Sequence, residues 1–328
     1  MTNQSPVLEH IGIYGFCWGK VPPTAASLTA YVTRAESCGI DSVHFPWHFT
    51  LSPESFDWGN RTLLDPFVVL PLLAGRTNRI RFALDPWVPS VMHPFVWAQF
   101  LSSLSAATGG RVMSGVRAAW WADDISVGQS SSELSQQGYE EALEVVTKLW
   151  RGEVLDGSES TIWQVAGLAL DPVPVRPLPL WIDGKDDVAI RRAASWGDAL
   201  RPLFATPEEL RELRKRLTEA ADAAGRTVGL VTSTVLAVLD SEDSPAWIKE
   251  NVTEPLERRV RGRDIQSALI VGTPDQCAER LQALFDAGVE YLLLDTQFHG
   301  WQTEAFSADQ VSRLVEGVLP HVTVAGVR

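Results

Sequence analysis

Apolar residues follow two alternating rhythms along this chain. Short, nearly unbroken apolar runs occur at 11–16 ("IGIYGF"), 41–46 ("DSVHFP"), 79–84, 111–116, 179–183, 198–203, 228–239 and 291–295. Between them, at 24–39, 65–77, 93–108, 135–150, 186–196, 206–225, 273–288 and 307–318, apolar residues recur every three to four positions. The first pattern predicts strands buried on both faces, and the second predicts amphipathic helices. Start signals agree. Asp65 precedes Pro66, and Thr206 with Glu209, Thr273 with Gln276, and Ser307 with Gln310 have the spacing of reciprocal N-terminal caps. Gly39 and Gly288 stand where two of the helices must stop.

Eight strand–helix units with no linker or charge run between them predict an α/β chain, a (β/α)8 TIM barrel forming one domain over 1–328. The rhythm breaks once. The Pro-rich segment 151–178, with strand-like pieces such as "STIWQV", is read as an inserted hairpin and loop after the fourth helix. A doubly wound open sheet is the alternative, but "YGFCWGK" stands where a G-x-G-x-x-G turn would follow the first strand.

Composition narrows the partners. The net charge of −13 excludes nucleic acid and anionic membranes, both of which need a basic face. No run of about 18 apolar residues is present to span a bilayer. The first residues, "MTNQSPVLEH", lack a basic segment leading into an apolar one, so no signal peptide is expected. Cys17, Cys38 and Cys277 are too scattered for a disulfide framework or a zinc site, which favours a reducing cytoplasm.

In a barrel, chemistry gathers at the C-terminal ends of the strands. There the 13 tryptophans become informative, because four successive strands each end near one. Trp18 follows the first, Trp47 the second, Trp87 the third, and Trp120 and Trp121 the fourth. They predict an aromatic-walled pocket for a flat ligand. His44 and His48 are four apart, a spacing that suits a metal on a helix. Pro46 disfavours helix there, and no third ligand stands nearby. No metal is therefore expected. His44 is read as a strand-end residue packed among apolar neighbours at the pocket's edge. His48 is the candidate for proton chemistry, since imidazole titrates near neutral pH.

The stretches "DSVHFPWHFT", "RTNRIRFAL", "HPFVWAQFLSSLSAATGGRVMSGV", "EEALEVVTKLWRGE", "PLWIDGKDDVAIRRAASWGDAL" and "VGTPDQCAERLQALFDAGVEYLLL", in this order and spacing, resemble the luciferase-like flavin monooxygenase family. That family includes bacterial luciferase and deazaflavin-dependent relatives. The resemblance implies a TIM barrel with a flavin or deazaflavin at its mouth. Where the family reads Asp-His-Phe or His-His-Phe, this chain has Trp47, His48 and Phe49. The resemblance also implies a bulge after the third strand, making room for the flavin ring beside Asp85, Pro86 and Trp87, with a cis peptide bond at Asp85–Pro86. Arg117 falls near a phosphate-binding arginine. Gly184 and Lys185 in "DGKDDV" match a phosphate loop.

The implied activity is that of a monooxygenase using reduced FMN from a separate flavin reductase, and oxygen, on a small apolar or aromatic substrate held by Trp18, His44, Trp120 and Trp121. A deazaflavin-dependent hydride transfer and a non-catalytic flavin-binding barrel are the alternatives. A homodimer is the implied assembly.

Overall fold

Gly12, Ile13 and Tyr14 of β1 (Ile11–Tyr14) lie opposite Ser42, Val43 and His44 of β2 (Ser42–Phe45) in parallel register. The same parallel pairing continues through β3 (Arg81–Trp87), β4 (Val112–Val116), β5 (Leu180–Asp183), β6 (Ala199–Arg201) and β7 (Gly229–Val238). β7 pairs with β9 (Tyr291–Asp295), and β9 returns to β1, so eight parallel strands close into the expected barrel. This computed structural model describes residues 10–19, 21–47, 64–87, 89, 92–117, 132–240, 245–254, 265–298 and 302–324. His48, Trp120 and Trp121 lie outside the described residues, as do the side chains of Pro86 and Trp87.

The longer α-helices are α1 (Ala25–Ser37), α2 (Pro66–Ala74), α3 (Pro94–Thr108), α4 (Ser132–Trp150), α5 (Asp187–Trp196), α6 (Pro207–Ala223), α7 (Pro274–Asp286) and α8 (Glu304–Arg313). Three starts follow the sequence signals: the Asp65 side chain caps α2, and reciprocal caps close on Thr206 with Glu209 and on Thr273 with Gln276. The last helix differs. It begins earlier than the pattern predicts, with Thr303 as its cap. Ser307 and Gln310 are buried side chains, and Gln310 bonds both backbone groups of Val238 at 2.7 and 3.3 Å.

Two further features depart from expectation. A short strand, β8 (Ile270–Gly272), pairs with Leu236–Val238, where β7 extends beyond the barrel. Segment 151–178 follows α4 and contains no strand, so the expected hairpin is absent there. It doubles back without a hairpin ladder. The Leu155 amide donates to the Leu168 carbonyl, and the Gly167 amide donates to the Leu155 carbonyl. The expected bulge is present, as a register slip between Leu84 and Trp87 where β3 meets β4. Asp171–Pro172 is a cis peptide bond, whereas the expectation at Asp85–Pro86 involves Pro86, whose side chain lies outside the described residues. No helix among the described residues is long and apolar enough to cross a membrane.

Alternation along the strands creates two interiors. Outward side chains such as Ile13, Val43, Phe82 and Leu200 join the helices in the main core. Inward ones, including Ala83, Met113, Trp181, Ala199, Val231 and Tyr291, form a separate cluster inside the barrel. Two residues further along β3, β5 and β6, the inward positions are Asp85, Asp183 and Arg201, so the upper interior is charged.

Candidate active site

Arg201 organises this charged layer. It is fully buried, and both of its terminal nitrogens bond the Asp85 carboxylate while its Nε bonds Asp183. Asp183 also accepts from Arg117, at 2.8 Å from Nε and 2.7 Å from Nη2. Asp85 is held from its other side by His44, whose Nδ1 lies 2.8 Å from Oδ2. Gly115 makes room for this cluster. A Cβ there would sit 1.8 Å from Asp85 Oδ1 and 3.1 Å from Arg201 Nη2.

The electrostatics are mutual. Burial opposes the charge on Asp85, but Arg201 and the His44 hydrogen bond outweigh it and hold the carboxyl well below its ordinary range. Burial likewise opposes the charge on Arg201, yet Asp183 and Asp85 raise its pKa further. His44 goes the other way. Burial pushes its pKa down, and Asp85 only partly offsets this.

His44 differs from its sequence reading, although it is completely buried at the end of β2. It does not sit among apolar neighbours with one hydrogen bond. Its Nε2 lies 2.9 Å from Ser42 Oγ, and its ring stacks on Trp181 at 5.0 Å between centroids. Both ring nitrogens are therefore occupied. Ser42 is 2.6 Å from the Tyr291 hydroxyl, which donates to Asp41 at 2.7 Å. Asp41 in turn pairs with Arg81.

The other candidates do not converge on one phosphate site. Trp18 is buried at the end of β1, edge-on to Phe16 at 5.1 Å. Trp47 points to the helix side and packs against Phe67 and Trp97, at 5.6 and 6.4 Å between centroids. Pro86 and Trp87 lie on β3 at the bulge. Gly184 has a φ of +144° and no room for a Cβ beside Ala189. Lys185 turns to α6, with its Nζ within 3.1 Å of both Glu209 carboxylate oxygens and 3.2 Å from the Phe204 carbonyl. At the start of α5, the Asp186 side chain takes the Ala189 amide. Arg117 and Lys185 each face a carboxylate, Asp183 and Glu209 respectively.

Sequence reasoning missed Asp183, Arg201, Ser42 and Tyr291. The available signal was a charged residue at inward parity within an apolar run, as in "PLWID" and "GDALR". Two strained residues were also missed. Phe204 and Phe298 have positive φ values, 47° and 52°, just beyond the ends of β6 and β9.

Comparison with known proteins supports the same fold. The F420-dependent glucose-6-phosphate dehydrogenase of Amycolatopsis mediterranei (strain U-32) is 24% identical over 331 residues, covering 91% of this chain and 95% of that one. A solved F420-dependent secondary alcohol dehydrogenase, in complex with an F420–acetone adduct, superposes with a TM-score of 0.77 at 18% identity, covering 96% of this chain and 99% of that one. The oxygenating constituent of 3,6-diketocamphane monooxygenase from Pseudomonas putida, in complex with FMN, gives 0.74 at 18% identity, covering 97% and 99%. The luciferase-like monooxygenase profile matches residues 14–291, so this barrel with its charged upper interior belongs to the luciferase-like monooxygenase family of oxidoreductases.

Proposed function

We propose that the chain is a deazaflavin-dependent oxidoreductase that removes hydride from a small, uncharged organic alcohol. The observation that carries this reading is the alignment with an F420-dependent dehydrogenase along 91% of the chain. The sequence resemblance alone put reduced FMN first, and the sequence relatives named as F420-dependent support the deazaflavin. The uncharged substrate is argued from charge balance. Arg201 is neutralised by Asp85 and Asp183, Arg117 by Asp183, and Lys185 by Glu209, so these cations offer little to a phosphorylated substrate.

When bound, the deazaflavin would supply the hydride acceptor. The chain's own residues bind, orient and move protons. His48 is the proposed acid–base residue, and Trp18 with Phe16 the proposed barrier to water. The proposed assembly is a homodimer joined through α2 and α3. α2 is apolar nearly all round, yet Val68 and Leu72 on it are 71% and 42% exposed and Val96 on α3 is 47% exposed.

The second reading is a monooxygenase using reduced FMN from a separate flavin reductase. The likeness to the FMN-containing diketocamphane enzyme favours it. Titration of tryptophan fluorescence with each cofactor, followed by turnover with and without oxygen, separates the two. Tight binding of F420 and its anaerobic reduction by an alcohol are expected. Oxygen uptake with reduced FMN, and no F420 reduction, would overturn the deazaflavin reading in favour of the second.

A further inference from the structure

Inside the barrel, five side chains form one file: Asp85, His44, Ser42, Tyr291 and Asp41. Its four contacts measure 2.8, 2.9, 2.6 and 2.7 Å. Each contact needs one proton between its two heavy atoms. A neutral imidazole, a serine hydroxyl and a tyrosine hydroxyl bring three. The two aspartates, Asp85 paired with Arg201 and Asp41 paired with Arg81, bring none. With neutral His44, one contact therefore has no proton. With one proton added, His44 becomes an imidazolium and all four contacts are filled.

The file has a direction. Asp41 and Arg81 stand at the N-terminal ends of β2 and β3, with side chains 19% and 31% exposed. Asp85 and His44 stand near the opposite ends and are completely buried. The charged and titratable groups around His44 are Asp85 and Arg81 on β3, Arg201 on β6, and Tyr14 on β1 at 6.4 Å between ring centroids; beyond them, Asp183 on β5 bonds Arg201 and Arg117, and Tyr291 on β9 bonds Ser42. Three carboxylates, Asp41, Asp85 and Asp183, balance three guanidiniums, Arg81, Arg117 and Arg201. A proton taken up by this group changes its charge from zero to plus one. The stacked face of Trp181 lies beside the ring that carries it.

We propose that Asp41, Tyr291, Ser42 and His44 form a proton path linking the floor of the barrel to Asp85 beneath its mouth. A proton arriving on Asp41 passes to the Tyr291 oxygen. Tyr291 gives its own proton to Ser42, and Ser42 gives its own to His44 Nε2. Three O–H bonds break, two O–H bonds and one N–H bond form, and Asp41 is again a carboxylate. The imidazolium then holds a proton at Nδ1 against Asp85. The reverse sequence exports a proton to the floor. An alcohol that gives up hydride also loses its hydroxyl proton, so the path serves the proposed function by accepting that proton and returning one as the reduced cofactor needs it, and this part of the inference rests on that reading. His44 acts here as a positioning residue.

Nitrogen-detected NMR of the cofactor-free protein tests the path without turnover. His44→Gln identifies the His44 signals among the six histidines. Tyr291→Phe leaves two contacts at His44 and two protons to fill them, so the reason to take up another proton disappears. Ser42→Ala has the same effect and serves if Tyr291→Phe does not fold. In either variant the His44 titration midpoint is expected to fall by at least one pH unit, a tenfold loss of proton affinity. A midpoint unchanged from wild type overturns the path. In turnover, Tyr291→Phe is expected to lower kcat several-fold and leave KM unchanged. Wild-type kcat in that variant overturns proton delivery even where the midpoint has moved. Failure of the deazaflavin reading shows separately, as absence of turnover in the wild type, and the NMR result still decides the path.

Discussion

Arg201 on β6 reaches across the barrel to grip the carboxylate of Asp85 on β3, and both side chains are completely sealed from solvent. A buried pair of this kind stabilises little over an apolar replacement of both partners, but removing one partner leaves a charge stranded. Arg201→Leu is therefore expected to destabilise the fold by about 3–5 kcal/mol in urea denaturation. Arg201→Lys should recover only part of that loss, because one ammonium cannot match the fork on Asp85 and the separate contact to Asp183. Wild-type stability in Arg201→Leu would contradict this account.

Gly115→Ala tests the same cluster from β4. The new Cβ would stand 1.8 Å from Asp85 Oδ1 and 2.5 Å from its Cγ, so the ion pair or the strand must shift. Overpacking of this kind costs about 1–3 kcal/mol. The two substitutions act on one carboxylate, so their effects should not add. A double-mutant cycle of Gly115→Ala with Arg201→Leu is expected to show a coupling above about 0.5 kcal/mol. Additive losses would mean that Gly115 matters for another reason.

The barrel was legible because its outward strand residues face helices and its middle inward residues, such as Ala83, Trp181 and Tyr291, are apolar too. Both faces then read as one continuous run. That same continuity hid the charged layer, since Asp85 and Asp183 look like ordinary strand ends. Partnerships were less legible than positions. Lys185 has the local look of a phosphate loop, but its partner Glu209 arrives 24 residues later on α6. His44 was singled out correctly as a strand-end residue, yet its environment depends on Tyr291, which reaches Ser42 from 249 residues away. The start of α8 misled for a different reason. Thr303 and Ser307 both carry capping chemistry, and burial of Ser307 against Thr296 decides between them.

The exposed apolar face of α2 bears on assembly. If α2 and α3 join two copies, Leu72→Glu and Val68→Glu each put a charge into an apolar interface that cannot pair it. Sedimentation of the wild type should show a dimer, and each variant should shift towards monomer with unchanged circular dichroism. A wild-type monomer, or variants that dimerise as well as the wild type, would point to another surface.

Acid should release the turn at 160–162 before it unfolds the barrel. Glu141 on α4 binds the turn at 160–162. Its Oε2 accepts from the Ser160 hydroxyl at 2.6 Å and from the Thr161 and Ile162 amides at 2.9 and 3.1 Å, while Oε1 accepts from Gln137 and the Thr161 hydroxyl. Partial burial works against its charge, but these donors, Ser160 and Gln137 foremost, outweigh burial and lower its pKa from 4.5 to about 2. A depressed carboxyl stabilises the folded form fully above its unfolded value, and that contribution fades as the pH falls towards the folded one. The window is therefore pH 4.5 down to about 2. Hydrogen exchange at Thr161 and Ile162 should speed up across that window. Glu141→Gln cannot accept with both ends of its amide, so the same two amides should exchange fast already at pH 6 and show no further step on acidification. Retained protection in Glu141→Gln would mean that the turn holds itself together and that the carboxylate only reports on it.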